Sequence, residues 1–194
     1  YPDQRKLPDG VKGIAEKVEK LGMKFGLWIE PEMISKDSDL YRMHPDWMIG
    51  APYRNKCHGR YQYVLDFTKP EVVQFIGDMI VKVLRDAPVS YIKWDLNRSI
   101  SEPFSQGRDA GFQGELFHRQ ILGMYQLYER LRAEFPEILF ESCASGGARF
   151  DPGMLYYAPQ AWTSDCTDAI ERLRIQYGTS FVYHGDPCGA RYDT

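Results

Sequence analysis

Short apolar segments alternate with longer amphipathic segments along this chain, and this order restricts the possible folds. The short segments have the length of strands, whereas the longer ones repeat apolar residues at helical spacing. Predicted strands cover 24–30, 61–67, 89–96, 137–142 and 159–164, and a further one begins at 181–183. Predicted helices cover 9–21, 39–43, 68–84, 115–135 and 168–176. Strands joined by such short helical connections are parallel with right-handed crossovers, so the sequence predicts an α/β sheet.

Two α/β architectures fit this order of elements, a doubly wound sheet and a (β/α)₈ barrel. A dinucleotide-binding sheet needs a glycine-rich turn after its first strand, but the turn 144–147 follows a late strand and lacks the GxGxxG pattern. A barrel instead collects polar residues at several strand ends. Four strands end in this way, at Trp28/Glu30, Lys93/Asp95/Asn97, Glu141/Cys143 and Ser164/Asp165. We therefore expect a partial (β/α)₈ TIM barrel, since a whole one typically needs about 250 residues and this chain has 194.

Composition excludes several classes of protein. The chain is 43% hydrophobic and 26% charged with a formal net charge of −3, which excludes disorder and gives no electrostatic reason to bind nucleic acid or an anionic membrane. No apolar run approaches the roughly 20 residues of a membrane span. The four cysteines, Cys57, Cys143, Cys166 and Cys188, lack CxxC spacing, which favours reduced thiols in a cytoplasmic protein. The four histidines lack metal-ligand spacing, so we expect no metal site. We expect no cofactor either.

Lys93, Asp95 and Asn97 form the densest group of chemically useful side chains. They stand at alternate positions at the end of an apolar segment, so all three are expected on one face of a strand, the inner face at a barrel mouth. A cation and an amide beside a carboxylate keep it ionised and oriented, as a nucleophile requires. The alternative interpretation is a surface ion pair at a strand end.

A second acidic group follows Trp162, where Asp165 ends a predicted strand and Asp168 begins a helix that it can also cap. A carboxyl group beside Trp162 in a closed pocket would resist ionisation, the condition for a general acid near neutral pH. The strands of Asp95 and Asp165 lie two βα units apart, so both carboxylates can face one cavity. A separation of about 5–5.5 Å would indicate retaining glycoside hydrolysis, and about 6.5–9.5 Å inverting hydrolysis.

Other residues at strand ends and in loops admit both a functional and a structural interpretation. Glu30 and Glu32 flank a proline, and holding that turn or pairing with an arginine explains them better than catalysis. Trp28 and Trp162 adjoin strand ends and can stack on a sugar, although large aromatic residues more often belong to a core. Arg60 lies in a loop, where a solvated side chain is usual and ligand contact is the alternative.

Three segments carry a recognisable pattern: FGLWIEPEM at 25–33, KWDLNR at 93–98 and WTSDCTDAIERL at 162–173. With HPDW at 44–47 and CASGGARFD at 143–151, they resemble the bacterial α-galactosidases of glycoside hydrolase family 36. The resemblance runs in order from about residue 7 to 180. It implies a retaining mechanism on a (β/α)₈ barrel, of which residues 1–194 would be the central, incomplete part, about strands 3 to 6 or 7.

The resemblance also implies roles for single residues. Asp95 would be the nucleophile that forms a galactosyl-enzyme intermediate, and Asp165 the acid/base. Trp28, Arg60, Lys93, Asn97 and Cys143 would line the galactose subsite, and Gly146 would let the chain approach the sugar closely. Trp162 joins this set as a stacking surface. The substrate would be the terminal α-D-galactosyl residue of melibiose- or raffinose-type oligosaccharides.

Several alternatives stay open. The same scaffold serves an α-N-acetylgalactosaminidase or a raffinose-type galactosyltransferase, and a truncated barrel can instead be a non-catalytic sugar-binding or assembly module. The chain begins at Tyr1 without an initiator Met or a signal peptide, and the family's Asp-Asp-Gly-Trp motif is absent, so we expect an internal fragment. Alone it should have little or no activity, whereas the longer parent enzyme is expected to be a homo-oligomer.

Overall fold

The computed structural model describes residues 3–182. The strands are β1 (Gly26–Ile29), β2 (Met33–Ser35), β3 (Gln62–Val64), β4 (Tyr91–Trp94), β5 (Leu139–Ser142) and β6 (Gln160–Ala161). The helices are α1 (Gly10–Glu19), α2 (Asp39–Met43), α3 (Pro70–Asp86), α4 (Ala110–Gln113), α5 (Leu116–Glu134), α6 (Pro152–Tyr157) and α7 (Ala169–Ser180), with a 3₁₀ turn at Pro45–Trp47. The chain divides into two compact units: a first unit from residues 3–29, 80–95 and 135–182, and a second unit from 30–79 and 96–134.

The first unit contains a four-stranded sheet in the order β1-β4-β5-β6, in which every neighbouring pair is parallel. Ile92 and Trp94 of β4 and Phe140 of β5 are almost completely buried, so this face of the sheet belongs to the core. Lys93 alternates to the opposite face. The α/β class with a parallel sheet, predicted from the alternation of elements, is confirmed.

The predicted strand 61–67 does not join the parallel sheet. Its first part, β3, pairs antiparallel with β2 in a separate two-stranded sheet of the second unit. Just before β3 the chain reverses over Arg60 and Tyr61, both at positive φ, and Gly59 and Gln62 exchange two backbone hydrogen bonds around them. β2 escapes prediction because three residues are too few to show a strand's alternation.

Helix α5 is fastened to the segment after β3 by a buried glutamine and a close backbone contact, all within the second unit. The Gln120 side chain accepts the Phe67 N–H at 2.8 Å and donates to the Leu65 carbonyl at 3.0 Å. At Gly123 an added Cβ would lie 2.0 Å from the Phe67 carbonyl oxygen, so a larger residue cannot fit without displacing backbone. These contacts fix the segment that contains Asp66.

Asp66 is the centre of a buried polar network in the second unit. It is 0% exposed, and its carboxylate accepts hydrogen bonds from the Thr68 N–H at 3.1 Å, the Thr68 hydroxyl at 2.5 Å and the Ser105 hydroxyl at 2.6 Å. A buried carboxylate is tolerated when its oxygens are satisfied in this way. The network ties the loop that carries Ser105 to the start of α3.

Two helices of the first unit follow acidic caps. Asp168 accepts the N–H groups of Ile170 and Glu171 at 3.1 and 3.0 Å, and α7 runs to Ser180, past its predicted end. Helix α6, which was not predicted, begins after Asp151 in the same way. Residues 181–182 form a turn rather than the start of the predicted strand 181–183, the rest of which lies outside the described residues.

Candidate active site

The parallel strands of the first unit bring four predicted site residues to one edge of the sheet. Trp28 on β1 is the register partner of Lys93 on β4, and Lys93 is the partner of Glu141 on β5. Asp95 follows β4 directly and Cys143 follows β5 directly. Because the carboxyl ends of parallel strands lie at the same edge, this edge collects the polar side chains that the sequence places after each strand.

Asp95 is buried and is held by an indole and by a turn. The Trp28 Nε1–H donates to its Oδ2 at 3.1 Å, and the Ser145 N–H lies 3.4 Å from its Oδ1. Its own N–H donates to the Ile29 carbonyl at 2.9 Å, which fixes the backbone at the end of β4. Only 6% of Asp95 is exposed, so the carboxylate is oriented by protein groups rather than by bulk water.

Lys93 contacts two side chains of the first unit. Its Nζ lies 2.9 Å from Oε1 of Glu141, which is 4% exposed, and 4.2 Å from the ring centroid of Trp162. The Tyr91 hydroxyl donates to the other carboxylate oxygen of Glu141. Burial and then the Glu141 carboxylate hold the pKa of Tyr91 well above its usual range, so the hydroxyl remains a proton donor. Glu141 therefore orients Lys93.

Glu141 is a functional candidate that the sequence analysis noted at a strand end but did not select. Glu141 is identified as a candidate site residue by its pairing opposite Lys93 on the neighbouring strand. Residues opposite each other on neighbouring parallel strands point to the same face of the sheet. That partnership depends on which strands are neighbours, and the sequence alone does not show this.

Asp165 is exposed and lies in the loop between β6 and α7. The Trp162 Nε1–H donates to its Oδ1 at 2.9 Å, which repeats the arrangement of Trp28 and Asp95. Residues 3–182 by themselves form no closed pocket around Asp165. Asp168, three residues further on, caps α7, so the structural interpretation of that residue is confirmed.

The turn 144–147 contacts the segments of both acids. Ser145 and Gly146 have φ of +49° and +89°, and the Ser145 N–H points at Asp95. A Cβ at Gly146 would lie 3.0 Å from the Ser164 Cα and 3.1 Å from the Asp165 nitrogen. In the structure, the close approach that Gly146 permits is to this backbone, and its approach to a sugar remains a prediction.

Cys143 is 2% exposed, and burial raises the pKa of its thiol to about 12. The Asp95 carboxylate contributes in the same direction, since a negative charge nearby disfavours the thiolate. The thiol is therefore protonated near neutral pH and presents a neutral, weakly polar surface at the strand edge.

Arg60 and Asn97 lie in the second unit, where both contact Glu30. The Asn97 Nδ2 donates to the Glu30 Oε1 at 2.7 Å, and the Arg60 guanidinium lies 3.3 Å from the same oxygen. Gln62 donates to the other oxygen at 3.2 Å. The pairing of Glu30 with an arginine, preferred over catalysis in the sequence analysis, is confirmed. Arg60 is held in the left-handed region, which is costly for a non-glycine residue.

Within residues 3–182, no group of three or more His, Cys, Asp or Glu side chains is placed to hold a metal ion. None of the helices described there is long and apolar enough to cross a membrane. Three of the cysteines, Cys57, Cys143 and Cys166, are free thiols, and Cys188 lies outside the described residues.

Comparison with known proteins gives a consistent result. The sequence model of the melibiase family matches residues 2–193. The α-galactosidase AgaA of Geobacillus stearothermophilus is 52% identical over 188 residues, which are 97% of this chain and 26% of that protein. The crystal structure of an α-galactosidase from Lactobacillus brevis superposes with a TM-score of 0.92 at 57% identity, over 94% of this chain and 25% of that one. A variant of AgaA in complex with raffinose gives a TM-score of 0.91 at 52% identity, over 93% of this chain and 25% of that chain. The chain spans about a quarter of the length of these relatives.

Proposed function

The chain belongs to the melibiase family, and we propose that it is the central part of the catalytic domain of a longer, retaining exo-α-galactosidase. The proposed substrates are terminal α-D-galactosyl residues of melibiose- or raffinose-type oligosaccharides. Support comes from α-galactosidases whose sequences are about 50% identical to this one over nearly its whole length. A variant of one of them was crystallised with raffinose. The four parallel strands of the first unit fit an incomplete (β/α)₈ barrel.

The strongest support from the geometry is the matched setting of two acids. Asp95 and Asp165 follow β4 and β6, which are separated in the sheet by β5 alone, and each accepts a hydrogen bond from a tryptophan indole. The turn that approaches Asp95 also packs against the backbone of Asp165. Two carboxyl groups set in this way suit the two roles of a glycosidase.

In the proposed first step, a carboxylate oxygen of Asp95 attacks the anomeric carbon while the bond to the leaving oxygen breaks. Asp165 transfers its proton to that oxygen, so the aglycone leaves as a neutral alcohol. In the second step, Asp165 removes a proton from water, the water oxygen attacks the anomeric carbon, and the bond to Asp95 breaks. Two inversions at one carbon give net retention. The exposed position of Asp165 suits a group that meets first the aglycone and then water.

The remaining site residues are proposed to bind the galactosyl group. Lys93, oriented by Glu141, can donate to sugar hydroxyls from the same strand as the nucleophile. Trp28, Cys143, Gly146 and Trp162 of the first unit are proposed to line the galactose subsite. A contact of Arg60 or Asn97 with the sugar stays a prediction from the family resemblance. In Trp28 and Trp162 the indole N–H is already used by an acid, so only the ring faces and edges can meet the sugar.

Substitution of each acid in the full-length enzyme, the longer protein that carries this chain, tests the proposal. With melibiose as substrate, Asp95→Asn should lower kcat roughly 10⁴-fold and Asp165→Asn about 10²- to 10⁴-fold. Asp168→Asn is the matched control, because asparagine also caps a helix, and it should keep near-wild-type activity. Near-wild-type turnover by either acid variant contradicts the assignment.

Azide separates the two roles. Azide added to Asp95→Gly should take the place of the missing nucleophile and yield a β-galactosyl azide. Azide added to Asp165→Gly should attack the galactosyl-enzyme and yield an α-galactosyl azide. NMR identifies the anomer of each product, and if the two variants gave the opposite anomers, the roles of Asp95 and Asp165 would be exchanged. If the wild-type enzyme transferred galactose to a sugar in preference to water, the transferase alternative would be favoured.

We also propose a cytoplasmic location, which the free thiols of the described cysteines support. That the full-length enzyme is a homo-oligomer stays a prediction. Light scattering after size-exclusion chromatography would test it by measuring the molar mass of the enzyme in solution. The isolated chain is expected to be nearly inactive, because it spans only about a quarter of the length of its relatives.

A further inference from the structure

The loop that carries Asp165 is held by a buried arginine to which no role has been assigned so far. Arg172 lies in the first turn of α7 and is only 3% exposed. Its guanidinium donates to the Ser164 carbonyl at 3.0 Å and to the Thr163 hydroxyl at 3.3 Å. A buried guanidinium needs hydrogen-bond acceptors, so moving the loop away would leave the Arg172 side chain buried without them, at a cost in folding free energy. Ser164 is the residue immediately before Asp165.

The same guanidinium contacts the indole that orients Asp165. The Arg172 Cζ lies 4.9 Å from the ring centroid of Trp162, within the range of a cation–π interaction, and Lys93 lies 4.2 Å from the same centroid. The Trp162 Nε1–H then donates to Asp165 at 2.9 Å. Arg172 therefore reaches Asp165 by two routes, through the backbone of Ser164 and through the ring of Trp162.

We propose that Arg172 is a positioning residue for the acid/base of the proposed α-galactosidase. It fixes the Trp162 ring and the Ser164 carbonyl, and so keeps the Asp165 carboxyl aimed at the leaving oxygen. This inference rests on the proposed function and adds to it a residue outside the substrate contacts. The planar guanidinium suits the task, because its fixed fork of N–H groups serves two acceptors while its carbon lies over the ring.

A positioning role has a signature that a purely structural role lacks. Proton transfer from Asp165 matters for a sugar alkoxide, which leaves poorly without a proton, and matters little for 2,4-dinitrophenolate. In the full-length enzyme, Arg172→Met should lower kcat/KM for melibiose by roughly 10²-fold, as expected for a misplaced catalytic group. For 2,4-dinitrophenyl α-galactoside the same variant should stay within about threefold of wild type.

Two further variants protect the test from a failure to fold. Trp162→Phe keeps an aromatic ring but removes the indole donor, and it should show the same dependence on the leaving group. Arg172→Lys keeps the charge and should restore only part of the lost activity on melibiose. In the double variant Arg172→Met/Trp162→Phe, the losses should be less than additive, because one of the two routes from Arg172 to Asp165 runs through Trp162. Arg174→Met is the matched control: Arg174 is an exposed arginine of the same helix that pairs with Glu171, and both substrates should be hydrolysed as by wild type.

Each outcome decides the matter. A selective loss on melibiose in Arg172→Met, or in Arg172→Lys and Trp162→Phe if the first variant does not fold, supports the proposal. Equal losses on both substrates, or no loss on either, overturn it while leaving the proposed function intact. If the wild-type full-length enzyme hydrolyses neither substrate, the proposed function fails and this inference fails with it.

Discussion

Asp66 in the second unit and Asp165 in the first unit are carboxylates in opposite settings. In the second unit Asp66 is completely buried and accepts three hydrogen bonds, two from Thr68 and one from Ser105. In the first unit Asp165 is exposed, and within the described residues the side-chain donor that reaches it is the Trp162 indole. A carboxylate saturated with protein donors has a structural role, whereas one fixed at a single oxygen suits the catalytic role proposed for Asp165.

The kind of donor differs as well as the number. Hydroxyl groups bind Asp66, and a hydroxyl can both donate and accept. The indoles that bind Asp95 and Asp165 only donate, so they orient a carboxyl group without competing for its proton. In Asp165 the indole holds Oδ1. If Asp165 is the acid/base, as proposed, the proton that it transfers is expected on Oδ2.

Removal of Asp66 tests the scaffold half of this comparison and should have the largest effect on stability. Asp66→Ala leaves the Thr68 N–H and the Thr68 and Ser105 hydroxyls without their acceptor, which should cost about 3–5 kcal/mol of unfolding free energy. Asp109→Ala, which removes an exposed cap of α4, should cost about 1 kcal/mol. Urea denaturation measures both, and an Asp66 loss no larger than that of Asp109 would contradict the scaffold role.

A comparison of two helical glycines sharpens the difference in packing between the units. Gly123→Ala in the second unit drives a methyl group into the Phe67 carbonyl and should cost about 2–3 kcal/mol. Gly178→Ala on α7 of the first unit meets nothing within 4 Å and should be neutral or stabilising by about 0.5 kcal/mol. Thermal and urea unfolding of the two variants measure the difference, and equal effects would show that α5 is less tightly seated than its contacts indicate.

Cysteine alkylation compares the units chemically. Cys143 is buried in the first unit with a thiol pKa raised to about 12, so at pH 8 nearly all of it is protonated and unreactive. Cys57 is exposed in the second unit. Iodoacetamide should modify Cys143 about 100-fold more slowly than Cys57, as measured by peptide mass spectrometry. Both should react at similar rates in denaturing urea, and fast labelling of native Cys143 would refute its placement beside Asp95.

The smallest predicted change in stability concerns the residues at the cap positions of two helices in the first unit. Asp168→Ala removes two hydrogen bonds at the start of α7 and should cost about 1 kcal/mol. Asp9 occupies the cap position of α1 but makes no capping hydrogen bond, so Asp9→Ala should change the unfolding free energy by less than about 0.5 kcal/mol. If Asp9→Ala lowered the unfolding free energy more than Asp168→Ala, the conclusion that Asp168 caps its helix and Asp9 does not would be wrong.

Local patterns predicted the parts of this structure that depend on neighbours in sequence. The apolar run before Asp95 indicated a strand, although β4 ends at Trp94 and not at residue 96, so the expected shared strand face does not extend to Asn97. The spacing after Asp168 indicated a capped helix. Helix α6 was within reach, since Asp151 followed by a proline is a typical helix start.

Pairings between distant segments were not predictable in the same way. The antiparallel β2–β3 sheet and the Lys93–Glu141 ion pair depend on which elements become neighbours. The spacing of these residues along the chain does not indicate which elements become neighbours. The exposure of Asp165 is a similar case, because burial is set by the surrounding chain and not by a tryptophan three residues away.

The two indole bonds also differ in how far apart along the chain their partners stand. Trp162 and Asp165 are 3 residues apart, whereas Trp28 and Asp95 are 67 apart. A contact across a short loop closes early in folding, but one between distant segments must wait until β1 and β4 have met, at a larger cost in chain entropy. Asp165 can therefore acquire its orientation while the polypeptide is still collapsing, whereas Asp95 is aligned only once β1 has paired with β4.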